Sequence, residues 1–242
     1  MDSFVFILLI ALVAFMYAMV GHGGASGYLA LMAIAGVATT TMRPSALILN
    51  LCVSAIAFAQ FAHAGHFKWK LFWPFAVLSV PAAWLGAQVD LDPLVYKRVL
   101  AICLLVAVVR LFGFFGQPKE DLRPLPLAWA LVIGAVLGLV SGMIGIGGGI
   151  LLSPIILLLG WADVKSTAAV SALFIFVNSL AGLLGVAGSG IALPANVWWW
   201  IAAAIAGGAL GSWIGAWRMP VPRLRQALGV VLLFASIKLF FP

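Results

Sequence analysis

From Ser3 to Met42 the chain carries no Asp, Glu, Lys or Arg, and long charge-free runs recur at 124–162 and 166–217. About 20 mainly apolar residues cross the hydrocarbon core of a bilayer. Inside it every backbone N–H and C=O must find a partner within the protein, which leaves helices or a closed barrel. Barrel strands alternate apolar and polar residues; these runs do not, so the spanning elements are helices. The whole chain is 8% charged, where a soluble domain has about a quarter. Asp2, with no Lys or Arg before Arg43, marks the first run as a retained membrane segment rather than a secretory signal, which needs a basic start. The net charge of +7 comes from basic residues gathered in short loops, a pattern that suits membrane orientation and not a nucleic-acid partner. Cys52 and Cys103 lie inside apolar runs without metal-ligand spacing, so packing is expected of them, and no metal or cofactor.

The apolar segments run Phe4 to Val20, Ser26 to Val37, Pro44 to Ala62, Leu71 to Gln88 and Leu94 to Phe114. They resume as Leu127 to Ile144, Ile150 to Trp161, Ser166 to Gly188, Ala195 to Trp217 and Arg223 to Phe241. The pattern occurs twice, down to single residues: Gly21, Gly23, Gly24 and Gly36 match Gly145, Gly147, Gly148 and Gly160 at a constant offset. "KRVLAICLLVAVVRLF" (Lys97 to Phe112) likewise aligns with "RQALGVVLLFASIKLF" (Arg225 to Phe240). The expected fold is an all-α polytopic membrane protein. Two inverted repeats, 1–115 and 127–242, flank a connector at 116–126, and each opens with a glycine-broken pair of short helices followed by three transmembrane helices.

The inversion follows from positive-inside bookkeeping. If Phe4 to Val37 returns to its starting side, Lys68, Lys70, Arg110, Lys119, Arg123, Lys165, Arg218, Arg223 and Arg225 share one side, opposed by Arg43, Lys97, Arg98 and Lys238. A single broken crossing divides the cations almost evenly. The lopsided solution puts both termini outside the cytoplasm.

The glycine clusters suggest the site. A chain that reverses within the membrane needs backbone conformations glycine supplies, and the short helices that follow aim positive N-terminal ends and free N–H groups at mid-membrane. That is an anion cradle. Gly21, Gly23 and Gly24 and, in the second half, Gly145, Gly147, Gly148 and Gly149 are the candidates, with Ser26, Ser153, Asn50 and Asn178 placed to orient the anion. Gly134, Gly138 and Gly142, and Gly207, Gly211 and Gly215, read as helix packing. His22 has no counterpart, Ile146 standing in its place; it is a donor to the anion, a proton carrier, or a structural cap of the turn. Arg43 and Lys165 stand at equivalent points before the third segment of each half, as a vestibule, as lipid-snorkelling cations, or, for Lys165, as the partner of Asp163. His63 and His66 read as interfacial loop residues. Trp198, Trp199, Trp200, Trp213 and Trp217 suit an interfacial belt or a homodimer contact.

With "GHGGASGYLALMAIAG", "GMIGIGGGILLSPIILLLG", "KSTAAVSALFIFVNSLAG" and "GGALGSWIGAW" in view, the chain resembles the sulfite exporter TauE/SafE family over nearly its whole length. His22 and Ala25 depart from the family's first-half pattern, and the first half lacks the equivalent of Pro154. The resemblance implies a secondary transporter in the bacterial or archaeal cytoplasmic membrane that moves sulfite or organosulfonates, by export. A carrier of another small organic anion is the nearest alternative. An intramembrane lipid-modifying enzyme using His22, His63 or His66 as base lacks a carboxylate partner, with only six acidic residues in the chain. The expected partners are a small anion and membrane lipids.

Overall fold

The computed structural model describes residues 3–111, 122–188 and 190–218, with isolated positions 233 and 237. Among these residues the chain forms nine helices and no strand. They are α1 (Ser3–Ala18), α2 (Ala25–Ile34), α3 (Thr39–His63), α4 (Trp69–Ala87), α5 (Pro93–Leu111), α6 (Leu127–Ile144), α7 (Gly149–Leu159), α8 (Val164–Ala187) and α9 (Val197–Trp217). Five of them, α3, α4, α6, α8 and α9, are long and apolar enough to cross a membrane, and α1, α2 and α7 are shorter apolar helices. The expected segment Arg223 to Phe241 and most of the connector lie outside the described residues.

The helices are apolar on both faces because one face meets protein and the other meets lipid. On α1, Phe4, Leu8 and Leu12 form an exposed stripe at helical spacing, while Ile10 and Ala14 are fully buried. Packing depends on the glycine stripes. A Cβ at Gly134, Gly138 or Gly142 of α6 would overlap the backbone carbonyl of Phe75, Ser79 or Ala83 on α4. A Cβ at Gly207, Gly211 or Gly215 of α9 would do the same to Ala11 or Phe15 on α1 or to Met19 just past its end. Both series advance together, so α6 runs parallel to α4 and α9 parallel to α1. The absent side chains let the backbones touch.

The centre is crossed by α3 and α8, which run in opposite directions. Leu47, early in α3, meets Gly182, late in α8; Phe61, late in α3, clusters with Ala168 and Ala169, early in α8. Gly185, near the end of α8, packs on Trp84 and Ala87 at the end of α4, whereas Ala216 at the end of α9 joins the cluster at the start of α8. Hence α4 and α9, the fourth helices of the two halves, also run in opposite directions.

Of the tryptophans expected at the interface, Trp198, Trp199, Trp213 and Trp217 are exposed, but Trp200 is buried against Phe6 with ring centroids 4.8 Å apart. Residues two apart on a helix point about 200° apart, which turns Trp200 away from Trp198. His63 is exposed and His66 half-buried, both at the α3–α4 loop.

That end of the bundle is stitched by Asp163, the N-cap of α8. It accepts from the Ser166 backbone N–H at 2.8 Å and hydroxyl at 2.6 Å, and pairs with Lys68 at 3.2 Å. Asp163 therefore serves Lys68, not Lys165. Burial pushes its carboxyl up, but the hydrogen bonds from Ser166 and Lys68 and the lysine charge outweigh it and hold it at about 2, below the ordinary 3.8. A carboxyl held low stabilises the fold at neutral pH, and that contribution disappears as pH falls from about 4 through about 2. Both partners are half exposed, so the effect is small. In detergent, the thermal midpoint of Asp163→Asn should vary less across that window than the parent's; equal slopes would remove Asp163 from the account.

Candidate functional site

Two turns inside the bundle hold most of the candidate residues. After α1 the chain closes on itself, with His22 N–H donating to the Tyr17 carbonyl at 3.0 Å, and α2 starts behind Gly24. After α6, α7 starts behind Gly148. Both N-caps are left-handed, at φ 96 for Gly24 and φ 73 for Gly148, a region where an L side chain costs about 1–2 kcal/mol. Neither supplies a side-chain cap, so the first-turn N–H groups look to acceptors from elsewhere. The helices they open, of 10 and 11 residues, reach about half of a hydrocarbon core roughly 30 Å thick.

Side chains from other helices tie the two turns together. Asn50 of α3 accepts from the Ala25 N–H at 3.0 Å with Oδ1, and its Nδ2 donates to the Ile146 carbonyl and the Ser179 hydroxyl, each at 3.3 Å. One amide thus caps α2, holds the second turn and touches α8. His22 crosses the same gap: Nδ1 lies 2.7 Å from the Val20 carbonyl, and Nε2 lies 3.2 Å from the Gly149 carbonyl and 2.9 Å from Ser153 Oγ. Ser153 Oγ continues to Ser171 Oγ of α8 at 2.7 Å. Ser26 on α2 bonds the Tyr17 hydroxyl at 2.6 Å. Between the turns lies a tight cleft lined by Tyr17, His22, Gly23, Gly24, Ser26 and the apolar Ile146, Ile150 and Ile175, with no room for a water-sized sphere.

The candidate residues therefore divide. His22, Gly23, Gly24, Ser26, Asn50, Gly147, Gly149 and Ser153 converge on the cleft or its cross-links, and Gly148 opens α7 beside them. Gly21 and Gly145 face outward from it, backed by Ala168 of α8 and by Arg43 of α3 respectively. Asn178 donates to the Phe174 carbonyl of its own helix at 2.8 Å, and its Oδ1 is buried without a hydrogen-bond partner.

Arg43 and Lys165 stand differently from the expectation. α3 begins at Thr39, so Arg43 lies inside the helix rather than ahead of it, and its guanidinium donates to the carbonyl of Ala87, the last residue of α4. Lys165, in the first turn of α8, donates at 3.2 Å to the carbonyl of Ala216 near the end of α9. A cation near a helix start opposes that helix's dipole. Here each one satisfies the carbonyl end of the next helix in its own half. Arg43 also walls a cavity of about 380 Å³ with Thr39, Thr40, Asp90 and Tyr96, whose hydroxyl donates to the Ile144 carbonyl at 3.0 Å, one residue before Gly145. The cavity thus backs onto the second turn.

The missed residues are Tyr17 and Tyr96. Their signal was composition: the chain has 16 Phe and 10 Trp but only 3 Tyr. All three Tyr are buried at the turns, the third, Tyr28, lying against Gly24.

The profile of the Sulfite exporter TauE/SafE family matches residues 6–239. The chain is 41% identical over 234 residues to the probable membrane transporter protein y4hK of Sinorhizobium fredii (strain NBRC 101917 / NGR234), a likeness that covers 95% of this chain and 94% of the relative. No solved structure matches. Family and relative are membrane transporters and not enzymes, and five helices here can cross a bilayer. The chain is an integral membrane protein, and it belongs to the sulfite exporter TauE/SafE family.

Proposed function

We propose that this transporter carries a small sulfur oxyanion, sulfite or an organosulfonate, out across the cytoplasmic membrane by alternating access of two inverted repeats, 1–115 and 127–242. One observation carries the reading: α2 and α7 start at glycine N-caps on either side of a single tight cleft, with His22 and Asn50 reaching across it. Two positive helix ends and polarised N–H groups favour a negative guest, and uncharged donors hold it without trapping it. The opposed directions of α3 and α8, and of α4 and α9, support the inversion. Because the space between the turns has no room for a water-sized sphere, the route to it has to be opened from each side in turn.

Counterflow tests the cargo. Radiolabelled sulfite should enter sulfite-loaded proteoliposomes and be blocked by unlabelled sulfite or sulfoacetate but not by a neutral solute. Block by a carboxylate alone would move the assignment to another organic anion, and absence of counterflow in folded protein would sink it. The orientation has its own test: a reporter fused to the N-terminus should lie outside the cytoplasm, and a cytoplasmic signal would overturn it.

A further inference from the structure

We propose that the anion travels together with a proton and that His22 carries that proton; the inference rests on the anion site described above. The imidazole is 1% exposed. Its Nδ1 faces the Val20 carbonyl and its Nε2 the Gly149 carbonyl. Carbonyl oxygens only accept, so these two partners fit a ring that donates from both nitrogens, the imidazolium. The neutral ring is served as well. With its proton on Nδ1, Nε2 accepts from the Ser153 hydroxyl at 2.9 Å. When Nε2 is protonated, that hydroxyl turns its own proton to the Gly149 carbonyl at 2.9 Å or to Ser171 Oγ at 2.7 Å. One rotating hydroxyl thus satisfies both states of the ring. A histidine that merely capped the turn would need only one.

Electrostatics couple the two guests. An imidazolium alone adds a positive charge to a cleft already faced by the N-terminal ends of α2 and α7, and an anion alone is desolvated there. Bound together, the imidazolium and a monoanion, bisulfite or an organosulfonate, cancel, so each raises the affinity for the other by the same factor. The loaded site is neutral, which avoids the cost of exposing a net charge to low dielectric. Among the described residues, the titratable neighbours are Tyr17 from α1, hydrogen-bonded to Ser26, and Tyr28 from α2, lying against Gly24. From α3, α7 and α8 come Asn50, Ser153 and Ser171, none of which titrates. Arg43 lies behind Gly145 and is engaged with Ala87. In the step itself only an N–H bond changes: Nε2 takes a proton on the side where the anion arrives and gives it up on the other.

The test uses the full chain in proteoliposomes with radiolabelled sulfite, subtracting leakage into protein-free vesicles. Counterflow without gradients comes first, and its absence sinks the anion reading itself. With counterflow present, net uptake is measured with the potential clamped by potassium and valinomycin. An inside-alkaline gradient should drive accumulation about tenfold per pH unit, and an inside-positive potential at equal pH should not. Uptake that follows the potential and ignores the pH gradient overturns the proposal. A second arm separates a proton on His22 from one carried by the monoanion itself, as sulfurous acid. Ser153→Ala removes the donor to neutral Nε2 and leaves the Gly149 acceptor for the protonated ring. The pH midpoint of its exchange should therefore move up by about half a unit or more, the worth of one hydrogen bond. An unchanged midpoint would assign the proton to the cargo and overturn the role of His22.

Discussion

Asn50→Leu should lower stability by about 2–6 kcal/mol and abolish transport, because it strands a buried N–H at Ala25 and a buried carbonyl at Ile146. Each stranded group costs about 1–3 kcal/mol, a large share of a fold whose total stability is about 5–15 kcal/mol. Leucine matches the amide in size, so the loss reports hydrogen bonding rather than a cavity. Asn178→Leu is the internal comparison. That amide bonds only within its own helix, and its Oδ1 is already unpartnered, so the substitution should cost under about 1 kcal/mol. Tryptophan-fluorescence melts in detergent read both. Equal midpoints for the two variants would show that Asn50 does not hold the turns together. A stable Asn178→Leu protein with impaired counterflow would instead place that amide on the cargo.

What the sequence disclosed follows from the range of each interaction. α6 coincides with its expected segment because Pro126 precedes it and Gly145 ends it, both local signals. The start of α3 was missed because Thr39–Thr41 carry no apolar periodicity, which left Arg43 outside a helix that in fact begins four residues earlier. The duplication paired Arg43 with Lys165 by position, but their targets, the carbonyls of Ala87 and Ala216, depend on how α4 and α9 end against them. Asn50 and Asn178 looked alike as amides in apolar helices. Only the fold separates them, since the partners of Asn50 lie 25, 96 and 129 positions away while that of Asn178 lies one turn back. Loop charge bears on orientation because orientation is set by residues near the membrane surface, and it is the ground on which inversion is proposed. Cross-links between the turns left no local trace.

Gly148→Leu should bring counterflow to background while the protein still inserts in the membrane. A Cβ at this position lies 2.9 Å from the Phe174 ring and 3.5 Å from Ser141 Cβ, and the backbone sits at φ 73. The isobutyl group has to push the head of α7 away from α8, which moves the Gly149 carbonyl and Ser153 away from His22 and turns the helix N-terminus off the cleft. Two costs are mixed in that result, backbone strain and displacement, and Gly36 separates them. It has the same left-handed backbone, at φ 74, with nothing within 4 Å of its Cβ, and lies past the far end of α2. Gly36→Ala should therefore lose about 1–2 kcal/mol of stability and keep its transport. If both variants lose transport alike, strain anywhere in the short helices is enough to stop the carrier. If Gly148→Leu keeps its flux, the N-terminus of α7 does not face the anion, and the cradle has to be sought elsewhere in the bundle.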